Sequence, residues 1–356
     1  MTSETPTATP ASAESSAPRI LRYRNALNEA LDHLLATDDR VVLLGEDICD
    51  PGGGAMQVTA GLSTKYGTER VRETPISEQA IIGAAIGAAL GGLRPIPEIM
   101  MMDFTAVCMD QIVNHAAKLR YMSGGRTSVP MTIRTMIMAG NGMGGQHAQS
   151  LEAWMLHSPG LRVVAPSTPA DAKGLLLACA SSDDPTIFME TASLYTLKGP
   201  VPEGPYEVPL GVADVKRTGR DVSVITYGAT VHLALAAASA LDGEIDVEVV
   251  DLRSLNPLDE ATLLASVTKT GRAVVVHQAV RTCGFGAELA ARIQEQCWSD
   301  LSGPVRRVAA PDTPAPYAKP LETAYLPSAT DIVEACRLAF KGGPAAHQIT
   351  AMGGSR

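Results

Sequence analysis

The stretch EQAIIGAAIGAALGG (78–92), with the LRPIPEIM (93–100) that follows it, decides the fold class. The first segment has no charge after Glu78 and consists mainly of small and aliphatic residues, which predicts a helix over 78–90. The second is a short aliphatic run after two glycines, which predicts a strand over 94–100. A helix followed at once by a buried strand is the repeating unit of a parallel sheet that helices cover on both faces.

The same alternation extends over most of the chain. In residues 19–197 we predict further strands at 41–44, 131–135, 161–165 and 186–190 and helices at 26–34, 106–121 and 170–181. In residues 211–340 we predict strands at 222–226, 247–250, 273–277 and 305–309 and helices at 229–240, 261–267, 287–296 and 331–340. The sequence therefore predicts an α/β protein made of two doubly wound α/β domains.

Three segments lie outside these two predicted domains. The segment KGPVPEGPYEVP (198–209) has four prolines, and because proline lacks an amide donor it fits neither a central strand nor a helix interior. We therefore predict a Pro-rich linker at 198–210. Residues 1–18 are rich in Ser, Thr, Ala and Pro, which predicts a disordered leader, and residues 341–356 are predicted to form a flexible tail.

Composition and charge exclude several classes of protein. The chain has 356 residues and a formal net charge of −9, and an acidic chain without basic runs is a poor match for nucleic acid. Its longest uncharged apolar run, 81–93, is shorter than the roughly 18 residues of a membrane span. The six cysteines form no C-x-x-C pair, which argues against zinc and disulfides. Since the start of the chain also lacks signal-peptide and transit-peptide features, we predict a cytoplasmic protein.

A glycine-rich loop, GNGMGG (140–145), matches the G-x-G-x-x-G pattern of dinucleotide-binding proteins. That pattern belongs after the first strand of a domain, with an acidic residue about 20 positions further on. Here the loop lies deep inside the first predicted domain and the residues around Gly160 are not acidic, which favours a flexible loop. A nicotinamide-dependent dehydrogenase is therefore a distant alternative. His147 follows the loop, beyond a predicted strand, where α/β folds place their ligands.

Two further features each admit two interpretations. Glu78 opens the predicted helix after TPIS (74–77). A carboxylate there either interacts with the helix dipole or, beside an apolar wall, shares a proton with a ligand nitrogen. The small residues at four-residue spacing in IIGAAIGAA (81–89) indicate either a tightly buried central helix or a helix that packs against a partner subunit.

A series of motifs, in order along the chain, resembles that of one family. The motifs are LLGED (43–47), KYG (65–67), TPISE (74–78), GLRPIPEIM (92–100), DF (103–104), MDQIVNHAAKLRYMSGG (109–125), GGQHAQS (144–150), PGLRVVAPS (159–167), DAKGLL (171–176), VVDLRSLNPLD (249–259), GFGAELAARI (284–293) and PDTPAPYAKPLE (311–322). From about residue 23 to about residue 340 the chain resembles the beta subunit of the thiamin-diphosphate-dependent dehydrogenase (decarboxylase) component of 2-oxoacid dehydrogenase complexes. Pyruvate and acetoin dehydrogenases are the types it resembles most.

The resemblance implies an N-terminal pyrimidine-binding domain and a C-terminal transketolase-type domain. It also implies oxidative decarboxylation of pyruvate, or a related 2-oxoacid, with acyl transfer to a lipoyl group on a separate acyltransferase. In this family thiamin diphosphate lies between two chains, in a heterotetramer with two copies of each. The beta chain holds the aminopyrimidine, and the alpha chain holds Mg²⁺ and the diphosphate. An acetoin dehydrogenase beta subunit and a stand-alone acyloin-forming thiamin enzyme are the alternatives.

Four residues take an expected cofactor-binding role from this resemblance. Glu78 matches the glutamate that hydrogen-bonds the aminopyrimidine ring nitrogen, and an apolar pocket that holds its proton tightly suits this role. Phe104 matches the aromatic residue that stacks on the aminopyrimidine. Ile76 and Met100 match apolar residues of the same pocket, where the adaptable side chain of methionine suits a curved wall.

Two more residues take a role in proton handling. Glu46 matches a second acid, linked by water to the pyrimidine glutamate, and His147 matches a histidine on the substrate side that acts in decarboxylation and lipoyl acylation. The chain departs from the family at Ser182, where a potassium-binding turn often has an Asp, so K⁺ is only a possible ligand. The glycine-rich loop at 50–55 is slightly long, and we expect it to affect substrate access.

Overall fold

The computed structural model describes residues 19–342, so the predicted leader (1–18) and the predicted tail after residue 342 lie outside the described residues. The strands are β1 (Ile20–Arg22), β2 (Val41–Gly45), β3 (Val71–Glu73), β4 (Arg94–Met101), β5 (Thr132–Ile137), β6 (Arg162–Val164), β7 (Thr186–Thr191), β8 (Lys198–Pro200), β9 (Asp214–Arg217), β10 (Val222–Thr226), β11 (Val247–Asp251), β12 (Ser254–Asn256), β13 (Ala273–Val280) and β14 (Arg306–Ala310). The α-helices are α1 (Tyr23–Thr37), α2 (Leu62–Tyr66), α3 (Glu78–Leu90), α4 (Leu119–Met122), α5 (Glu152–Leu156), α6 (Pro169–Ser181), α7 (Thr230–Ala240), α8 (Glu260–Thr270), α9 (Phe285–Gln296), α10 (Lys319–Tyr325) and α11 (Ala329–Phe340).

Seven strands form the first sheet, in the order β12-β6-β7-β5-β4-β2-β3. All neighbouring pairs are parallel except β12, which runs antiparallel to β6. Parallel neighbours need a crossover connection, which explains the alternation of strands and helices along the sequence. Because β12 comes from the second half of the chain, this sheet joins the two halves.

Five strands form the second sheet, in the order β14-β13-β10-β11-β9, and only β9 is antiparallel to its neighbour. The predicted α/β fold class is therefore confirmed. The Pro-rich segment begins with β8, which pairs only with β1 in a separate antiparallel ribbon. Such an edge position tolerates proline, because no further strand needs an amide donor from it. Among residues 19–342, no helix combines the length and the apolar character that a membrane crossing requires.

The first sheet is covered by helices on both faces, as its strand sequences predict. Successive residues of β2 point to opposite sides: Val42 and Leu44 pack in one apolar cluster, and Leu43 packs in the other. Helix α3 contributes to the first cluster, and helices α1 and α6 contribute to the second. Buried on both faces, the strand is an almost continuous apolar run rather than an alternating one.

Helix α3 begins and ends where the sequence predicts, but it is buried on one face only. Besides Glu78 at its start, the residues that it buries are Ile81, Ile82, Ala85, Ile86 and Ala89. Its opposite face is exposed and carries Ala80, Gly83, Ala84 and Gly87. Within the single chain, α3 is therefore not the fully buried central helix of the first interpretation.

The prediction of a single helix over 106–121 is wrong. The chain instead forms a 3₁₀-helix at Met102–Ala106, a π-helix at Gln111–Ala116 and the short α4. The segment QIVNHA (111–116) contains β-branched residues, Asn and His, which weaken the preference for a regular α-helix. A π-helical turn is often found next to a functional site.

Candidate active site

Four of the predicted site residues lie at the same edge of the first sheet. Glu46 directly follows β2, Phe104 follows β4, and His147 lies in the loop after β5. Glu78 begins α3, which follows β3. Since β3, β2, β4 and β5 are parallel neighbours, their carboxyl ends lie side by side, where open α/β sheets bind ligands.

Glu78 occupies the first position of α3 and is almost buried, at 8% exposure. The preceding Ser77 does not cap the helix with its side chain, because its hydroxyl donates to the carbonyl of Pro75 (2.9 Å). The carboxyl group of Glu78 therefore lies at a helix N-terminus, where the helix dipole favours a negative charge.

Glu46 is a second acid close to Glu78. Burial raises the pKa of Glu46, and the neighbouring charge of Glu78 raises it further, whereas a hydrogen bond with the Ser77 backbone lowers it. Its Oε1 atom is buried and has no hydrogen-bond partner within residues 19–342. Two adjacent carboxyl groups of this kind favour a state in which one of them holds a proton.

Phe104 and His147 contact each other on the other side of the site. Their ring centroids are 5.3 Å apart, with the planes at 77° in an edge-on arrangement. The Nδ1 atom of His147 is buried and without a hydrogen-bond partner in the described part of the chain. The ring is therefore held by packing, with a nitrogen left for a ligand.

Sequence reasoning missed Asp103, which is buried next to Phe104. Its Oδ1 atom accepts hydrogen bonds from the side-chain amide (2.8 Å) and the backbone amide (3.3 Å) of Gln149. Burial raises the pKa of Asp103, and the hydrogen bonds from Gln149 and the nearby His147 oppose that rise. The signal available in the sequence was an acid two residues after the end of a largely buried strand.

The structure does not place Ile76 and Met100 in one apolar pocket beside Glu46 and Glu78. Ile76 is 84% exposed, so in this chain alone it lines no enclosed pocket. Met100 is half-buried and packs against the cluster on the α1 and α6 side of the sheet. Ile76 thus faces outward, whereas Met100 packs against the interior of the chain.

The glycine-rich loop binds a carboxylate from a distant part of the same chain. The amides of Gly140 and Gly142 both donate to the carboxylate of Glu322, over 2.8 Å to 3.0 Å. A pyrophosphate would need these same amides. This geometry speaks against the nicotinamide alternative.

Cys108 gives a prediction about chemical reactivity. Burial raises the pKa of its thiol to about 12, and the charge of Glu78 adds to the rise, whereas Cys283 is exposed. Because the thiolate is the reactive form, we expect iodoacetamide at pH 8 to label Cys283 and leave Cys108 unmodified in the folded protein. Mass spectrometry of tryptic peptides measures this, with the urea-unfolded protein as the control in which both are labelled. Early labelling of Cys108 would contradict the burial described here.

Two family descriptions match the chain. Transketolase, pyrimidine binding domain, matches residues 20–198, and Transketolase, C-terminal domain, matches residues 211–332. Among solved structures, a split gene transketolase described as an inactive beta4 tetramer has a TM-score of 0.72 at 24% identity, covering 90% of this chain and 99% of that one. This likeness concerns the fold alone.

Curated relatives are similar over nearly their full length. Acetoin:2,6-dichlorophenolindophenol oxidoreductase subunit beta of Cupriavidus necator is 47% identical over 335 residues, 91% of this chain and 99% of the relative. 2-Oxoisovalerate dehydrogenase subunit beta of Pseudomonas aeruginosa is 48% identical over 322 residues, 85% and 90% respectively. Pyruvate dehydrogenase E1 component subunit beta of Bacillus subtilis is 44% identical over 314 residues, 88% and 96% respectively.

The fold and the two family matches thus define a transketolase-like α/β protein with a pyrimidine-binding domain and a C-terminal domain. Within that class, the chain belongs to the family of beta subunits of thiamin-diphosphate-dependent 2-oxoacid dehydrogenase components, of the pyruvate and acetoin dehydrogenase type. The family and the enzyme class predicted from the motifs are therefore confirmed. Membership of this family implies dependence on thiamin diphosphate.

Proposed function

We propose that the chain is the beta subunit of a component that decarboxylates pyruvate, or a closely related 2-oxoacid, and transfers the acyl group to a lipoyl group. The observation that carries this proposal is the buried pair Glu46 and Glu78 at the same edge of the sheet as the contacting rings of Phe104 and His147. This arrangement supplies proton-handling groups and an aromatic ring at one edge of the sheet.

The residues at this edge fit the aminopyrimidine end of thiamin diphosphate. Glu78 offers a carboxyl group at a helix start, and Glu46 has a buried oxygen without a partner in the described chain, as a site that receives a polar ligand requires. When bound, thiamin diphosphate supplies a carbon nucleophile and an electron sink for the bond next to the substrate carbonyl.

The protein's own residues have separate tasks in this proposal. Glu78 shares a proton with the aminopyrimidine ring nitrogen, and Glu46, whose pKa is raised, exchanges protons with it through water. Phe104 packs on the aminopyrimidine, and Met100 adds apolar surface that excludes water. His147 holds a proton on the substrate side during decarboxylation and acyl transfer to the lipoyl group.

We further propose that the site is completed by an alpha subunit, which holds Mg²⁺ and the diphosphate, in a heterotetramer with two copies of each chain. The exposed small-residue face of α3 supports this, because Gly83 and Gly87 leave open space that another helix can approach closely. Ile76, two residues before α3, is also exposed and would become a pocket wall when covered. A lipoyl-bearing acyltransferase is the partner that receives the acyl group, and the cytoplasm is the proposed compartment.

The turn at 182–184 does not fit a potassium ion in the way the family suggests. The guanidinium of Arg94 donates to the carbonyls of Ala180 and Ser182, both at 2.9 Å, and forms an ion pair with Asp183. These carbonyls thus already have a cationic partner, so the proposal includes no K⁺. The domain limits at 19–197, 198–210 and 211–340 are part of the proposal, and the two family matches support them.

The substrate is tested by turnover of the co-expressed alpha and beta chains with pyruvate, acetoin and branched 2-oxoacids. We expect kcat/KM for pyruvate to exceed that for a branched 2-oxoacid by about tenfold or more, because a pocket discriminates extra methylene groups to this extent. The beta chain alone is the control, and we expect no turnover from it.

Other outcomes would redirect the proposal. A higher kcat/KM for acetoin would identify an acetoin dehydrogenase, a candidate that the 47% identity to such a subunit favours. Acyloin formed without any acyltransferase would identify the stand-alone enzyme. Absence of turnover with every substrate, by a pair that binds thiamin diphosphate, would overturn the proposed function.

A further inference from the structure

The loop that carries His147 is fixed from the second half of the chain. Gly140 and Gly142 have positive φ angles, 94° and 69°, and this backbone shape directs both amides toward one point. The carboxylate of Glu322, from α10, lies at that point and accepts from both of them. Such convergent amides bind an anion strongly, and here the anion is a side chain 180 residues further along the sequence.

Glu322 is buried, at 1% exposure, so its charge needs these hydrogen bonds. Lys319, one turn earlier in α10, donates to the carbonyl of Gly140 (2.7 Å) and lies 3.4 Å from the Glu322 carboxylate. Charge-assisted hydrogen bonds of this kind are stronger than neutral ones. Helix α10 therefore holds both the amides and a carbonyl of the same loop.

A second contact fixes the loop closer to His147. A Cβ atom at Gly144 would lie 2.2 Å from the ring of Tyr317, so the loop and this ring are in direct contact. Beyond His147, the backbone amide of Gln149 donates to Asp103. His147 thus lies between two anchored segments, one of which depends on the second domain.

We propose that Glu322 is a positioning residue for His147. Its carboxylate is occupied by the amides of Gly140 and Gly142, so it acts by fixing the backbone from which the imidazole projects. The inference rests on the proposed function of His147 in acyl transfer. Because displacement of a catalytic group by about 1 Å costs up to about 100-fold in rate, loss of this anchor has a measurable effect on catalysis.

The first test measures the anchor without any assay of activity. In the purified complex, Glu322→Gln removes the charge at nearly constant size and is expected to increase the hydrogen–deuterium exchange rate of peptides from 138–150 by about tenfold. Glu334→Gln removes an exposed acid of α11 in the same half of the chain and is the matched control, with no change expected. Equal exchange in the wild type and Glu322→Gln would overturn the proposal.

The second test is a double-mutant cycle with His147→Asn. We expect Glu322→Gln to lower kcat for acyl transfer to a lipoyl domain by about tenfold, with the KM for the 2-oxoacid nearly unchanged. If Glu322 acts through His147, the double variant is no slower than His147→Asn alone. Losses that multiply would show an independent effect and overturn the proposal.

The two tests separate this inference from the proposed function. Full activity of His147→Asn would show that the proposed role of His147 is wrong and would overturn this inference with it. A slow His147→Asn variant beside a fully active Glu322→Gln variant would leave the proposed function intact and overturn only the positioning role. Faster exchange together with non-additive losses would support both.

Discussion

Replacing Glu78 by Gln is expected to lower turnover by the alpha–beta complex by about 10²- to 10⁴-fold, the range in which proton transfer by a positioned side chain contributes to catalysis. The amide keeps the size of the side chain but has no acidic proton to share with the aminopyrimidine nitrogen. Steady-state turnover of the 2-oxoacid measures the loss, and thiamin diphosphate binding is measured alongside by isothermal titration calorimetry.

The control for this variant is Glu69→Gln, which removes a carboxylate from an exposed side chain in the same part of the chain. We expect it to retain wild-type turnover. If the turnover of Glu78→Gln stayed within about twofold of the wild type, the proposal that Glu78 shares a proton with the cofactor would be refuted. A non-catalytic beta subunit would then explain the result.

Replacing Arg134 by Met is expected to lower the free energy of unfolding by about 3–5 kcal/mol, because it leaves buried carboxylates without their cation. Arg134 is 3% exposed and forms two hydrogen bonds with Glu190 (2.7 Å and 2.9 Å) and one with Glu98 (2.6 Å). Denaturant unfolding measures the change. The control is Arg220→Met, because the side chain of Arg220 is 85% exposed in its ion pair with Asp246. We expect this variant to lower the free energy of unfolding by less than about 1 kcal/mol.

The loss of unfolding free energy caused by Arg134→Met should depend on pH in a defined direction. Burial raises the pKa of Glu190, and Arg134 opposes that rise in the wild type. The pKa of Glu190 is already raised in the wild type, and without Arg134 it lies further above its unfolded value. Stability is then retained below the unfolded pKa and lost as pH rises through the folded pKa. We therefore expect the variant to approach the wild type in stability as pH falls, and a deficit that grows at low pH would contradict this account.

The sequence predicts the strands of the first sheet and helix α3 well, because both depend on local patterns. The apolar run that ends at Gly45 defines β2, and its end places Glu46 at the edge. The run of small and aliphatic residues after Glu78 defines α3 to the residue. Short-range periodicity is sufficient in these cases, since burial of a strand or helix face is visible in its own residues.

Features that depend on distant parts of the chain could not be predicted in this way. The hydrogen bonds from Gly140 and Gly142 to Glu322 span about 180 residues, and the glycine pattern alone indicated only a flexible loop. The chain after β4 forms a 3₁₀-helix and a π-helix where the sequence suggested one continuous helix. The exposure of Ile76 likewise could not be predicted, because an apolar residue is usually expected to be buried.

Strand β12 has a consequence for any attempt to divide the protein. It covers one edge of the first sheet, and without it β6 would present unsatisfied amides and carbonyls along its free side. A fragment ending in the Pro-rich segment would therefore have a template for edge-to-edge aggregation, even though its own helices and strands were complete. Expression of truncated forms, or splitting of the chain for reporter fusions, requires the segment Ser254–Asn256 to remain covalently attached.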